Sequence, residues 1–238
     1  RNQVRWTDNE VIASYISTKS QEVLEFSKNV VGIARNHLRS GLNRNMQFAM
    51  YLFEGVRLSG IVCETTSDTP YAETHLEPSK IDYIQYPFQT MIYKSGDCDE
   101  LGILFMALLE SVGIEAAYIP MKDDFLVCFN TGIKGPKADS FFDGYDRIFL
   151  IGEDVWIPLS MSALREGFMN CWYKAITDLQ NAQNEMEDIE VVSLSSAWSS
   201  YPPAGFSSGQ NVEIKPEESA LVSAAENDLS RYITTEFG

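Results

Sequence analysis

The amino-acid sequence predicts an α+β fold in which one buried, cysteine-bearing helix is followed by antiparallel strands and flanked by further helices. Three observations predict it. Leu101, Leu104, Phe105, Leu108, Leu109 and Val112 recur at i, i+3, i+4, i+7, i+8 and i+11, the spacing of a core helix. Short apolar runs bounded by turn residues come next, at 116–120, 125–130 and 147–151, the last joined through a 152–154 turn to 155–158. Apolar residues at helical spacing then return near both ends of the chain.

The elements are expected in the following order. Residues 7–39 read as a helix with N-cap oxygens at Thr7 and Asp8 and an apolar stripe through Val23, Phe26, Val30, Ile33, Ala34 and His37, ended by Gly41. A second helix spans about 43–59, with Met46, Ala49, Met50, Phe53 and Val56 on one side and Gly60 at its stop. The Thr-, Ser-, Asp- and Pro-rich stretch 64–80, which holds His75, reads as a long surface loop. A turn at Lys94-Ser95-Gly96-Asp97 opens the central helix, and Gly113 closes it. Between the strands, 131–140 reads as a loop. Residues 163–187 form a helix with Phe168, Cys171, Trp172, Ala175 and Leu179 on one face. The stretch 193–210 wraps irregularly, and Pro216, at an N1 position, starts a last helix to about Thr234.

Composition narrows the function classes. With 238 residues and 45% hydrophobic content, the chain can bury one sizeable core, or one core and a small helical subdomain, without disulfide or metal staples. Its 34 acidic against 18 basic residues, a formal charge of -16 with no segregated basic patch, excludes nucleic acid and anionic lipid as partners. It lacks any run of about 18 apolar residues, so membrane insertion is not expected. Cys63, Cys98, Cys128 and Cys171 show neither CxxC pairing nor metal-ligand spacing, and the Asp139, Asp143, Gly144, Asp146 run misses calcium-loop spacing; no metal and no cofactor is expected. Four thiols leave the redox compartment open. The chain starts at Arg1 and reads as a processed or excised fragment, with exported and cytoplasmic origins both open.

Cys98 is the residue with chemistry to offer. It stands in the first turn of the central helix behind Gly96 and the N-cap candidate Asp97, where unpaired N–H groups and the helix dipole stabilise a thiolate. The carboxylates of Asp97, Asp99 and Glu100 oppose this, since neighbouring negative charge favours the neutral thiol. A nucleophile and a buried helix-terminal cysteine both fit.

Asp82-Tyr83-Ile84-Gln85-Tyr86-Pro87, Tyr93-Lys94-Ser95-Gly96-Asp97-Cys98-Asp99-Glu100 and Leu108 to Ala116 resemble the core of the bacterial transglutaminase-like superfamily, which has a papain-like cysteine fold. Thr69-Pro70-Tyr71, Val155-Trp156-Ile157-Pro158, Gly167-Phe168 and Trp172 extend the likeness over roughly residues 40–205. The resemblance implies one transglutaminase-like domain over 1–238, with N-terminal helices at 7–60, a core at about 61–162 and C-terminal helices and wrap at 163–238. It also implies that the chain is one module of a larger protein of the bacterial periplasm or cell envelope, a cytoplasmic location not being excluded.

The family mechanism implies a thiolate, a histidine on the following strand and an acidic or amide residue on the next. Carried onto this chain, Cys98 keeps the nucleophile position, Asp124 stands in the histidine position and Ser160 in the acidic position. A carboxylate with a pKa of about 3.9 is too weak a base for a thiol of about 8.5, and it cannot form an ion pair with a thiolate. His75 is the remaining candidate base, and His37 fits a helix face better than a site. Cys128 shares a strand side with Asp124 and reads as a core thiol or a redox partner of Cys98. The expectation is a degenerate triad in an inactive module that contacts protein or peptide; the alternative is a cysteine peptidase or acyl transferase using His75.

Overall fold

The computed structural model describes residues 2–64, 71–77, 79–205 and 214–237. It is a mixed helix and sheet protein. In chain order the elements are β1 (Asn2–Val4), α1 (Gln21–Arg35), α2 (Arg44–Leu58), β2 (Val62–Cys63), α3 (Tyr71–Thr74), β3 (Asp82–Ile84), α4 (Pro87–Tyr93), β4 (Ser95–Gly96), α5 (Cys98–Ser111), β5 (Ala116–Pro120), β6 (Phe125–Lys134), β7 (Phe149–Ile151), β8 (Asp154–Ser160), α6 (Phe168–Asn184), β9 (Val192–Ser193), α7 (Leu194–Ser200) and α8 (Glu218–Thr235). The main sheet has the order β7-β8-β6-β5-β9 and is antiparallel throughout. No helix among the described residues is long and apolar enough to cross a membrane.

The pleat of β6 divides the interior. Phe125, Val127 and Phe129 face the large core built on α5, while Leu126 and Cys128 join a second cluster with Ala175 and Leu179 of α6. Cys128 is therefore a core thiol on the α6 side of the sheet, whereas Cys98 belongs to the α5 core. Helix α5 is buried from Cys98 to Leu109, which explains an apolar content too high for a one-sided surface helix. It lies close on β6 because Gly102 has no side chain: a Cβ there would come within 2.7 Å of Phe125 Cδ1 and 3.2 Å of Val127 Cγ2.

Several elements differ from the sequence expectation. The helix read over 7–39 is two pieces. A 3-10 segment, Asn9–Tyr15, is capped by the Asp8 side chain, and α1 starts afresh at Ser20, whose hydroxyl accepts from the Val23 N–H. His37 lies beyond the end of α1. The loop read over 131–140 is instead a continuation of β6 to Lys134, past a register shift, followed by a 3-10 turn at Gly135–Ser140. Asn43 and Asn45 from the start of α2 donate to the carbonyls of Thr131 and Asn130, supplying partners that local propensity does not reveal. The helix read over 163–187 is a 3-10 stretch, Met161–Glu166, and then α6, separated by Gly167 at φ +90. The wrap read over 193–210 contains α7, with 206–210 outside the described residues. Glu217, rather than Pro216, meets the start of α8: its carboxylate accepts from the N–H groups of Ser219 and Ala220. In the stretch read as a loop over 64–80, Tyr71–Thr74 is helical and residues 65–70 and 78 lie outside the described residues.

Helix α8 packs on α2, with a buried acidic pair where they meet. Glu54 accepts from Arg57 Nε at 2.8 Å, and Asp228 beside it is pushed up to about 8 by burial and by the Glu54 charge. A carboxyl whose folded pKa exceeds its unfolded value binds more protons folded, so its contribution to stability falls as pH rises from about 4 to about 8.

Two outcomes are expected. Gly102→Ala should lower the unfolding free energy by about 1–3 kcal/mol through overpacking against Phe125, as read by urea denaturation. The urea midpoint should be higher at pH 5 than at pH 8, and Asp228→Asn should narrow that difference; an unchanged difference would exclude Asp228 as a source.

Candidate functional site

The mouth of α5 is assembled from four chain segments. Strand β2 runs parallel to β4 with Val62 opposite Ser95 and Cys63 opposite Gly96, and the Glu64 N–H donates to the Gly96 carbonyl at 2.9 Å. The pairing holds the strand that leads into the helix. Asp97 then supplies the N-cap, accepting from the Cys98 N–H at 2.8 Å on Oδ1 and from the Tyr71 N–H at 3.1 Å on Oδ2. The Asp97 N–H donates to Glu100 Oε2 at 3.0 Å, the reciprocal half of a capping box. Glu100 also accepts from the Gln85 N–H at 3.1 Å and from Gln85 Nε2 at 2.7 Å. Burial pushes Glu100 up to about 7, with the donors from Asp97 and Gln85 opposing the rise.

Cys98 sits in this mouth with 5% of its surface exposed. Burial pushes its thiol well above the ordinary value, and the charges of Asp99, Asp124 and Asp97 push further in the same direction. The helix dipole acts the other way. Ligand atoms of Asp97, Cys98 and Asp99 lie within 4.8 Å of one another. Both oxygens of Asp97 already accept backbone N–H groups, which leaves two donors, short of the four that zinc takes.

The positions Asp124 and Ser160 do meet. Asp124, 4% exposed, precedes β6 and accepts from its neighbour's N–H, Phe125, at 2.8 Å on Oδ1. On Oδ2 it accepts from Ser160 Oγ at 2.5 Å, Ser162 Oγ at 2.9 Å and Lys174 Nζ at 2.7 Å. Lys174 also bonds Asp178 at 2.6 Å, one turn along α6. Lys174 and Ser162 were not legible as site residues. The available signal was the i, i+4 spacing of Lys174 and Asp178, which marks an ordinary surface pair as readily.

His75 packs on Tyr71. Its Nδ1 lies 2.7 Å from the Tyr71 carbonyl and its ring stacks on the Tyr71 ring at 4.1 Å with 1° between planes. Burial lowers its pKa, so the ring is neutral near pH 7. Tyr71, buried and bonded through its hydroxyl to the Met121 carbonyl at 3.0 Å, is the aromatic side chain that feels the charges of Cys98, Asp99 and Asp124. The cysteine whose charge bears on Cys98 is Cys63, itself pushed up to about 12, and not Cys128.

Two clefts flank the turn between β5 and β6. One, of about 320 Å³, is lined by Met121, Lys122, Asp123, Asp124 and the last turns of α6. The other, of about 370 Å³, is lined by His75, Leu76, Ile119, Pro120, Met121 and the chain after α6. Cys98 lines neither. No family model, curated protein or solved structure matches the chain.

Glu100→Gln should destabilise the protein by about 1–3 kcal/mol, because all three donors converge on its two oxygens and an amide must turn an N–H toward one of them. Chemical denaturation measures this directly; a neutral result would show that the clasp at the helix mouth contributes little.

Proposed function

We propose that this chain is a catalytically inactive transglutaminase-like module, a protein- or peptide-interaction domain of a larger envelope-associated bacterial protein. The observation that carries the reading is the sign of the charge around Cys98. Where a thiol enzyme needs an imidazolium, this thiol meets Asp99, Asp124 and Asp97.

The resemblance in sequence around Cys98 supports the family, and a helix-borne thiol packed on an antiparallel sheet is compatible with a papain-like core. The Asp124 carboxylate, at the position of the family histidine, is engaged by Ser160, Ser162 and Lys174. Loss of base and acid assistance removes about 10²- to 10⁴-fold in rate for each role. Against the rival reading, a peptidase or acyl transferase with His75 as base, stands the stacking of that ring on Tyr71 and the use of its Nδ1 at the Tyr71 carbonyl. A fold that has shed its chemistry keeps its surfaces, and these are what remain for a partner to use.

Alkylation with iodoacetamide across pH 5–9, read residue by residue by peptide mass spectrometry, tests the assignment. Cys98 should stay essentially unmodified below pH 7 and react more slowly at pH 8 than a free cysteine. Rapid modification of Cys98 below pH 7 would overturn the inactive reading.

A further inference from the structure

We infer that the two clefts beside the β5–β6 turn form one groove that takes a basic peptide segment, with lysine or arginine side chains spaced by apolar ones. This rests on the interaction-domain reading and names the partner class.

The clefts share Met121, Lys122 and Glu187, so they meet at the turn. Each has the volume of a pocket that holds a small ligand or a few side chains. Ile119, Pro120, Met121, Ala182 and Ile189 supply apolar lining on which side-chain stems can lie. The polar lining is acidic: six carboxylates against the ammonium groups of Lys122 and Lys174. Lys174 is already committed to Asp124 and Asp178. Asp123, Glu185, Glu187 and Asp188 make no ion pair among the described residues, so the rim presents uncompensated negative charge to an incoming chain.

Met186 marks the same rim. It is 92% exposed and has φ +57, a backbone region where a side chain other than glycine or asparagine costs energy. Its neighbours in the chain, Glu185 and Glu187, both line the groove. Leu76, 55% exposed, stands at the second cleft. Exposed apolar side chains bracketing an acidic groove match a segment that is both basic and apolar, and a polybasic segment without apolar residues would leave them uncovered.

A net charge of -16 attracts any cation, so the test must separate the groove from the total charge. Fluorescence anisotropy would follow binding to the full chain, in about 150 mM salt, of a labelled peptide of alternating arginine and leucine. A peptide of alternating glutamate and leucine and a polyarginine peptide of equal length serve as comparisons. The groove variant carries Asp123→Asn, Glu185→Gln and Glu187→Gln; the control carries the same charge change elsewhere, at Glu25→Gln, Asp139→Asn and Glu218→Gln.

The expected result is that the arginine–leucine peptide binds more tightly than polyarginine and the glutamate peptide does not bind. The groove variant should weaken binding tenfold or more, and the control less than threefold. Equal losses in both variants would reduce the effect to total charge and overturn the proposal, as would the absence of binding or a preference for the glutamate peptide. Self-association abolished by the groove variant would assign the surface to a second copy of the chain and overturn it too. Failure here with an inert Cys98 sinks the groove alone, whereas rapid Cys98 alkylation with peptide binding retained sinks the inactive module and leaves the groove.

Discussion

The structure depends on how the N-terminus of a buried helix is satisfied. Helix α5 runs through the centre of the core, so its first N–H groups have little water to turn to, and unpaired buried donors cost free energy. Asp97 and Glu100 answer that need and reach outward as well, Asp97 to Tyr71 and Glu100 to Gln85. Three other segments of the chain, at 62–64, Tyr71 and Gln85, are tied to one helix end. Of Asp97 and Glu100, Asp97 also bears on the thiol, after burial, Asp99 and Asp124. A helix terminus favours a thiolate through about half a positive charge, while burial first, and then the carboxyl groups of Asp99, Asp124 and Asp97, push the thiol the other way. What stabilises the architecture thus quiets the sulfur.

A second consistency lies across the end of the sheet. A buried carboxylate at position 124 demands hydrogen-bond donors, and an acidic residue opposite it at 160 would add repulsion. A serine there donates instead, Ser162 adds a second hydroxyl, and Lys174 brings the compensating charge from α6. Positions 124 and 160 make one physical arrangement, a carboxylate surrounded by donors. Such a network orders β6, β8 and α6 relative to one another. It is built for holding, with both Asp124 oxygens bonded to donors.

The distribution of polar groups separates a quiet interior from a charged exterior. Half-buried His75 stacks on Tyr71 and meets Trp6 edge-on, and Cys128 lies in the cluster under α6. The uncompensated charge lies instead around the β5–β6 turn and the end of α6, on a surface whose lining residues span from residue 9 to residue 189 and so cannot be read as a motif.

The sequence by itself determined α2, the central helix with its Asp97 cap, strand β5, the start of β6 and the adjoining β7–β8 hairpin, because each is set by periodicity and by turn or cap residues a few positions away. It also determined that the residue at 98 is a thiol crowded by acids, since Asp97 and Asp99 are its immediate neighbours. Tertiary structure decided the rest. The run of β6 past Asn130 follows from partners far along the chain, where Asn43 and Asn45 meet its carbonyls, while the interruptions at residues 16–20 and at 167 sit at the Ser20 cap and at a glycine of φ +90. Only folding brought Lys174 and Ser162 to Asp124, Cys63 opposite Gly96, and His75 onto Tyr71. Caps and periodic faces are local properties of the chain, while the sign of the field at a buried atom is a sum over everything packed around it.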